Sequence, residues 1–258
     1  MKIIVLMKQV ANKDAVLRIA ADEKWINEAD IALQTNESDG YALEEALRTV
    51  EAKGEGEVVV CTLGPQSAKT VIKDALARGA NRAIHIVVED TKALSAYQIA
   101  QTLAEAIRDE KPDLIFAGLQ SDDASFGQTG VILAELLGVP HATIVIEVDR
   151  ESLGDKIRIK RELEGGWYQW FTYDLPALLT IQSGISQIRY ASLKGIMAAK
   201  SKEIREVTPT IEPFAGASKI EKVYIPLKTK QTQILGNGDA KKGAVELVEK
   251  LRSEARVI

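Results

Sequence analysis

Short apolar runs alternate with amphipathic stretches of helical length up to position 140 of the chain. Gly54 and Gly79 follow helical stretches, where a left-handed residue ends a helix, and Ser67 stands where it would cap the second helix. The alternation is typical of a doubly wound α/β domain with a mostly parallel sheet. The predicted strands are 2–7, 57–62, 83–88 and 114–117, and the predicted helices are 39–53, 67–78, 94–110 and 128–137.

The pattern changes after Pro140. Strand-like runs at 141–148, 156–164 and 167–173 surround a turn at Glu164-Gly165-Gly166, which predicts antiparallel strands added to the sheet. A further apolar run covers 177–181, and no strand-helix alternation follows residue 184. We therefore predict a nucleotide-binding α/β domain at 1–184 and an extended C-terminal arm at 185–258.

The predicted arm carries apolar residues without the periodicity of a strand or a helix. Apolar side chains exposed in this way are unfavourable in water, so we expect a partner subunit to cover them. Asp239 begins a final amphipathic helix that runs to Arg252 and packs on that partner. The apolar residues in question are Ile211, Phe214, Val223, Tyr224, Ile225 and Leu227.

Composition narrows the classes of function. The 258 residues are 46% hydrophobic, enough for one substantial core, and the net charge of −4 argues against nucleic acid as the main partner. The single Cys61 excludes an intramolecular disulfide and lies in an apolar run, which favours a buried thiol. No uncharged apolar stretch reaches membrane-spanning length, so we expect a soluble cytoplasmic protein without direct membrane insertion.

Candidate chemistry is concentrated at 112–140, where a buried strand, a polar loop and a helix follow one another. Gly118, Gly127 and Gly130 allow close approach of backbone to a ligand, and a helix N-terminus favours anions. A polar, well-capped connection accounts for the same residues equally well, since no P-loop or G-x-G-x-x-G motif is present. The polar side chains there are Ser121, Asp122, Asp123, Ser125, Gln128 and Thr129.

The sequence contains no recognisable catalytic motif. His85 and His141 have no neighbours at metal-ligand spacing, and Cys61 has no partner in the sequence pattern. Asp122 and Asp123 offer a metal or acid–base pair, but carboxylates near a helix N-terminus more often accept from backbone amides or a ribose. We therefore predict no catalytic residues and no metal.

Five separated blocks resemble the β subunit of electron transfer flavoprotein, in that family's order. They are MKIIVLMKQV, ALEEALRTVEAKG, QSDDASFGQTG, RELEGG and IRYASLKGIMAAKSKEI, which together cover nearly the whole chain. RELEGG with GISQIRYASLKGI is similar in particular to the form that serves trimethylamine dehydrogenase in methylotrophic bacteria.

The resemblance implies an electron carrier without catalytic residues of its own. It implies an obligate heterodimer in which the α subunit holds most contacts to FAD and β, a domain of the adenine-nucleotide-binding type, buries a structural AMP. Electrons come from a flavin-containing dehydrogenase, of the acyl-CoA or trimethylamine type, and pass to an acceptor such as a quinone oxidoreductase.

The resemblance also implies two sets of residues. Backbone at Leu6 and Leu63 would contact adenine, Gln128 and Thr129 the phosphate, and Asp123 a ribose or the loop itself. The implied AMP site is Leu6, Asn36, Glu37, Ser38, Asp39, Leu63, Gly118, Gln120, Ser121, Asp122, Asp123, Ser125, Gly127, Gln128 and Thr129. The implied dehydrogenase-recognition loop is Arg189, Tyr190, Ala191, Ser192, Leu193, Lys194, Gly195, Ile196 and Met197, with Leu193 as the anchor.

Departures from the family leave alternatives open. The family commonly has Asn-Pro and an aromatic where this chain has Asn36-Glu37-Ser38-Asp39, Asn where it has Gly127, and a longer lysine run after the recognition loop. One alternative is an electron-bifurcating β subunit that binds a second FAD and oxidises NADH. Another is a lone nucleotide-binding enzyme or stress-type sensor, which leaves the arm unexplained.

Overall fold

The computed structural model describes residues 1–29, 31–211, 220–227 and 232–258. Phe214 of the predicted arm lies outside these residues. The described chain divides into two compact units, Met1–Glu221 and Lys222–Ile258. The first unit contains the predicted α/β domain together with residues 185–221, the first part of the predicted arm, because a strand and a helix of that part pack on the domain.

Strands and helices alternate in the first unit, as the hydrophobic pattern predicts. The strands are β1 (Lys2–Leu6), β2 (Gln9–Ala11), β3 (Leu33–Thr35), β4 (Glu57–Gly64), β5 (Arg82–Val87), β6 (Leu114–Gly118), β7 (His141–Asp149), β8 (Lys156–Glu162), β9 (Tyr168–Asp174), β10 (Ala177–Ile181) and β11 (Ile204–Val207). The helices are α1 (Glu37–Lys53), α2 (Lys69–Arg78), α3 (Ala96–Ile107), α4 (Thr129–Leu137) and α5 (Leu193–Ala199), and the second unit contains α6 (Ala240–Lys250).

A nine-stranded sheet has the order β11-β5-β4-β1-β6-β10-β7-β8-β9. All neighbouring pairs from β11 to β7 are parallel, whereas β8 pairs in antiparallel orientation with both β7 and β9. The predicted mixed sheet is therefore confirmed. The turn at Glu164–Gly166 joins β8 to β9. Because β1 pairs in parallel with β4 and β6, the carboxyl ends of all three strands lie at one edge, and the strand order reverses next to β1.

The sheet carries helices on both faces. Helices α1 and α2 cover one face, where Leu43 and Ile72 are buried, and α3 and α4 cover the other, where Leu103 and Leu133 are buried. Cys61 belongs to the second core, and its burial raises the thiol pKa to about 12. The prediction of a buried thiol is thereby confirmed.

The structure differs from the sequence prediction at β11 and at the start of α2. Strand β11 was not predicted, yet it pairs in parallel with β5, with Ile204 opposite Ala83. Its four residues at the edge of the sheet are too few and too polar for a strand signal. Ser67 does not cap α2, since its hydroxyl donates to Gln9 Oε1 instead and the helix follows a short 3₁₀ turn.

Asp239 begins the final helix of the second unit, as predicted. Its side chain accepts from the backbone N–H groups of Lys241 and Lys242, and α6 runs from the next residue to Lys250. Leu247 and Val248 on this helix are exposed, as are Tyr224 and several other apolar residues of the unit. No helix in the described part of the chain is long and apolar enough to cross a membrane.

An ion network closes the amino-terminal edge of the sheet. The Arg82 guanidinium lies 2.8 Å from Glu57 and 2.6 Å from Glu110, and Lys2 Nζ lies 3.2 Å from Glu110. Hydrogen bonds from Arg82 lower the pKa of Glu110 to about 2, against the opposing effect of its partial burial. The network ties the start of β5 to β1, to β4 and to the end of α3.

This network predicts an acid-sensitive contribution to stability. Because the folded-state pKa of Glu110 is below its ordinary value of 4.5, its ionised form stabilises the fold above that pH. The stabilisation is lost as pH falls from 4.5 towards 2. We expect Glu110→Gln to lower the free energy of unfolding at pH 7, and the difference from wild type to shrink on acidification in urea titrations. A difference independent of pH would contradict the assignment.

Candidate functional site

Three loops meet at the carboxyl-terminal edge of the sheet. Lys8, just after β1, places its ammonium 2.7 and 2.6 Å from the two carboxylate oxygens of Asp123 in the loop after β6. Gln9 donates to the Ser67 carbonyl in the connection after β4, at 2.9 Å. Parallel strand order predicts this convergence, because the carboxyl ends of parallel strands lie at one edge of a sheet and the loops at 8–12, 63–66 and 118–128 follow such strands.

Asp39, in the first turn of α1, joins the ends of two strands. Its carboxylate accepts from the backbone N–H of Lys8 at 2.7 Å and from that of Gly118 at 3.0 Å. Burial raises the pKa of Asp39 to about 7, although these two hydrogen bonds act to lower it. Both carboxylate oxygens of this predicted ligand residue are therefore used within the fold.

Asn36 and Ser38 attach the start of α1 to the loop after β6. The Asn36 amide and the Ser38 hydroxyl both donate to the Gln120 carbonyl, at 2.9 and 2.8 Å, and the Asn36 amide oxygen accepts from Asp122 N–H at 2.8 Å. Asp122 in return accepts from the backbone N–H of Glu37 at 3.2 Å. These side chains hold the two loops together.

The loop then turns sharply into α4. Ser125 and Gly127 have φ values of 54° and 62°, in the left-handed region that glycine adopts without strain. Ser125 N–H donates to the Ser121 carbonyl at 2.9 Å. No side-chain hydrogen bond caps the start of α4 at Gln128, so the first backbone N–H groups of this helix are available to an anion.

The structure brings all the predicted AMP-site residues to this edge, with Leu6 and Leu63 close to the ends of β1 and β4. Lys8 was not among them. Burial raises the pKa of Asp123, but the Lys8 ammonium outweighs that effect and holds the pKa below its ordinary value. Lys8 was detectable in principle, because it is the first charged residue after the first predicted strand.

The predicted recognition loop is partly a helix. Ser192 caps α5, since its hydroxyl accepts from Gly195 N–H at 3.0 Å. Tyr190 is 96% exposed, Leu193 79% and Met197 57%, so Leu193 does not pack within its own domain. A serine before a glycine-containing segment carries a weak helix signal, which explains why a loop was predicted.

Other polar groups lie elsewhere. His85 is buried in β5 with Nε2 at 3.1 Å from the Gly64 carbonyl, and His141 starts β7. A cavity of about 850 Å³ opens at the opposite edge of the sheet, beside Lys53, Lys111 and Asp113. The described residues contain no group of three or more His, Cys, Asp or Glu side chains suited to a metal.

The fold and its closed loop edge define a doubly wound α/β protein with an appended hairpin and an exposed apolar helix. Residues 24–212 match the electron transfer flavoprotein domain. The chain is 36% identical to an electron transfer flavoprotein subunit beta of Methylophilus methylotrophus, over 92% of this chain and 93% of that protein. It is 35% identical to the mitochondrial subunit beta of Oryza sativa subsp. indica over the full length of both, and 34% identical to the Homo sapiens subunit beta over 81% and 82%.

The chain therefore belongs to the electron transfer flavoprotein family, and its relatives over the full length are β subunits. The family resemblance drawn from the five sequence blocks is confirmed.

Gly118 provides a test of the closed loop edge. A Cβ at this position would lie 2.2 Å from Asp39 Oδ1 and 2.2 Å from Ser38 Oγ. We expect Gly118→Ala to break the bridge between β1 and β6 and to lower the free energy of unfolding by about 3 kcal/mol or more in urea titrations.

Gly154→Ala is the matched control, since no atom lies within 4 Å of a Cβ there. Equal stability of the two variants would show that the bridge does not hold the edge together.

Proposed function

We propose that this chain is the β subunit of a heterodimer that carries electrons from a flavin-containing dehydrogenase to a downstream acceptor. In this proposal an α subunit holds FAD, and β contributes two things. One is a structural AMP at the carboxyl-terminal edge of the sheet, and the other is the apolar face of α5 that docks on the dehydrogenase. The exposure of Leu193 is the observation that most supports a docking role.

The geometry at the start of α4 supports AMP. A phosphate would meet backbone N–H groups of Thr129 and Gly130 that no side chain caps, at the positive end of the helix dipole. Of the two aspartates in this loop, Asp123 is neutralised by Lys8, and Asp122 is held by a hydrogen bond from Glu37 N–H. In this proposal, backbone at Leu6 and Leu63, close to the ends of β1 and β4, contacts adenine.

In this role the chain's own residues bind and orient the nucleotide, and they neither form nor break a covalent bond. FAD supplies the redox chemistry when the heterodimer is loaded. The hydrogen bonds of Asn36, Ser38 and Asp39 keep the loop edge closed around the nucleotide, and the same edge belongs to the domain that presents α5. AMP then has a structural role at this edge, so no catalytic side chain is needed beside it.

The docking role is supported by the chemistry of α5. Leu193 and Met197 lie one turn apart on α5 and are exposed, as is Tyr190 just before the helix. Lys194 and Lys200 are their neighbours in the sequence. A few central apolar side chains within a charged rim are typical of small transient interfaces. The helix-borne leucine suits an apolar pocket on the dehydrogenase.

Ligand content tests the AMP proposal. We expect mass spectrometry of the ligands released from the co-purified heterodimer to find one AMP and one FAD. Gln128→Glu should reduce the AMP content and leave FAD unchanged, because a carboxylate at the helix start repels the phosphate. Gln101→Glu, with the same charge change in the middle of α3, is the control.

The other ligand outcomes correspond to other proteins. Two FAD molecules per heterodimer would identify the bifurcating alternative. A stable monomer that hydrolyses a nucleotide would overturn the subunit proposal altogether.

Leu193→Ala tests the docking proposal. Loss of a central apolar anchor should raise the KM of an acyl-CoA or trimethylamine dehydrogenase for this flavoprotein about tenfold or more. Heterodimer assembly and FAD content should not change, since Leu193 is 79% exposed.

Val16→Ala is the matched control, because Val16 is 80% exposed but lies far along the chain from α5. If both variants accept electrons from both dehydrogenases as wild type does, the docking assignment is wrong.

A further inference from the structure

Helix α5 has only seven residues, so it does not hold its shape by itself in water. Contacts with the domain must fix it. Three such contacts are present, and none of them uses the exposed side chains of Tyr190, Leu193 and Met197.

The first contact is a clamp around Arg189, just before α5. Its backbone N–H and its Nε donate to Glu44 Oε2 at 3.1 and 2.9 Å, and its two terminal nitrogens lie 2.5 and 2.9 Å from Glu51. Both glutamates lie on α1, and Glu44 is almost fully buried. A planar guanidinium held by two carboxylates has one orientation, so the chain direction into α5 is set by α1.

The pKa values of the clamp agree with this geometry. Burial raises the pKa of Glu44, but hydrogen bonds from Arg189 and Arg48 outweigh it and hold the pKa below the ordinary value. The hydrogen bond from Arg189 likewise lowers the pKa of Glu51. Both carboxylates are therefore ionised at neutral pH, and the clamp is fully charged.

The second and third contacts attach α5 to the end of α2. Gly195 approaches so closely that a Cβ there would lie 2.1 Å from the Ala77 carbonyl oxygen. Lys202, after α5, donates to the carbonyl oxygens of Leu76 and Ala80 at 2.9 and 2.5 Å. An ammonium at the carboxyl end of a helix is favoured by the exposed carbonyls and the helix dipole.

We infer that Glu44, Glu51 and Lys202 are positioning residues for docking. They hold α5 in its binding conformation before the dehydrogenase arrives, so less conformational entropy is lost on association. The inference rests on the proposed docking function of α5. In this inference, α1 and α2 affect how tightly the dehydrogenase binds, although neither helix contacts the dehydrogenase.

Glu51→Gln tests the inference in the assembled heterodimer. Loss of one charge of the clamp should raise the KM of the dehydrogenase for the flavoprotein by about twofold to fivefold, as expected for a partly exposed ion pair, with kcat unchanged. Hydrogen exchange of residues 189–199 should become faster. Glu55→Gln makes the same charge change on an exposed residue near the start of β4 and should alter neither quantity.

A double mutant separates positioning from general stability. If Glu51 acts through the exposed leucine, Glu51→Gln should raise KM less in the Leu193→Ala background than in wild type. Lys202→Met, which breaks the contact with α2, should show the same coupling. Lys202→Met therefore provides a second test of positioning if Glu51→Gln impairs assembly of the heterodimer.

The outcomes distinguish this inference from the proposed function. If Leu193→Ala raises KM but Glu51→Gln and Lys202→Met do not, docking stands and positioning is wrong. Positioning is also wrong if Glu55→Gln acts as strongly as Glu51→Gln, because charge alone then explains the effect. If Leu193→Ala itself has no effect on KM, the docking proposal fails and this inference fails with it.

Discussion

A single buried carboxyl holds together the edge on which the candidate site is built. Asp39 accepts from backbone N–H groups at the ends of β1 and β6, neighbouring strands that are distant in the chain. The loops that leave these strands start from the positions this carboxyl sets, and Gly118 must lack a side chain to allow its approach. Burial of an ionisable group is unfavourable unless it is hydrogen-bonded, so the two bonds and the closed edge depend on each other.

Side chains that the sequence suggests as ligand-binding groups mostly form hydrogen bonds and ion pairs within the fold. Asn36, Ser38 and Asp39 satisfy backbone groups of the facing loop, and Asp123 neutralises Lys8. The proposed nucleotide would therefore meet chiefly backbone at the start of α4. In the proposed docking segment, Arg189 is likewise used within the fold, since its guanidinium pairs with Glu44 and Glu51 of α1. In both places polar side chains hold the scaffold together.

Hydrophobic periodicity predicted the elements of the α/β domain and the antiparallel hairpin because those segments are buried over many residues. It failed where contacts between distant segments decide the structure. Strand β11 forms because β5 offers an open edge, and Ser67 bonds to Gln9 instead of capping α2. Segment 193–199 is helical because Ser192 caps it and because Gly195, which has no side chain, can lie close to the backbone of α2. The predicted site residues are gathered at one edge, but Lys8, which neutralises Asp123, was missed.

The sequence by itself determined the fold class, the burial of Cys61, the edge of the sheet where the loops gather and the family to which the chain belongs. These follow from local periodicity, strand order and residue blocks, which are properties of the chain alone. Only the tertiary structure decided which polar groups are consumed within the fold and which apolar side chains remain exposed, Leu193 among them. Hydrogen bonds and steric approach between residues far apart in the chain cannot be derived from spacing, because they depend on how α1 and α2 pack against the sheet.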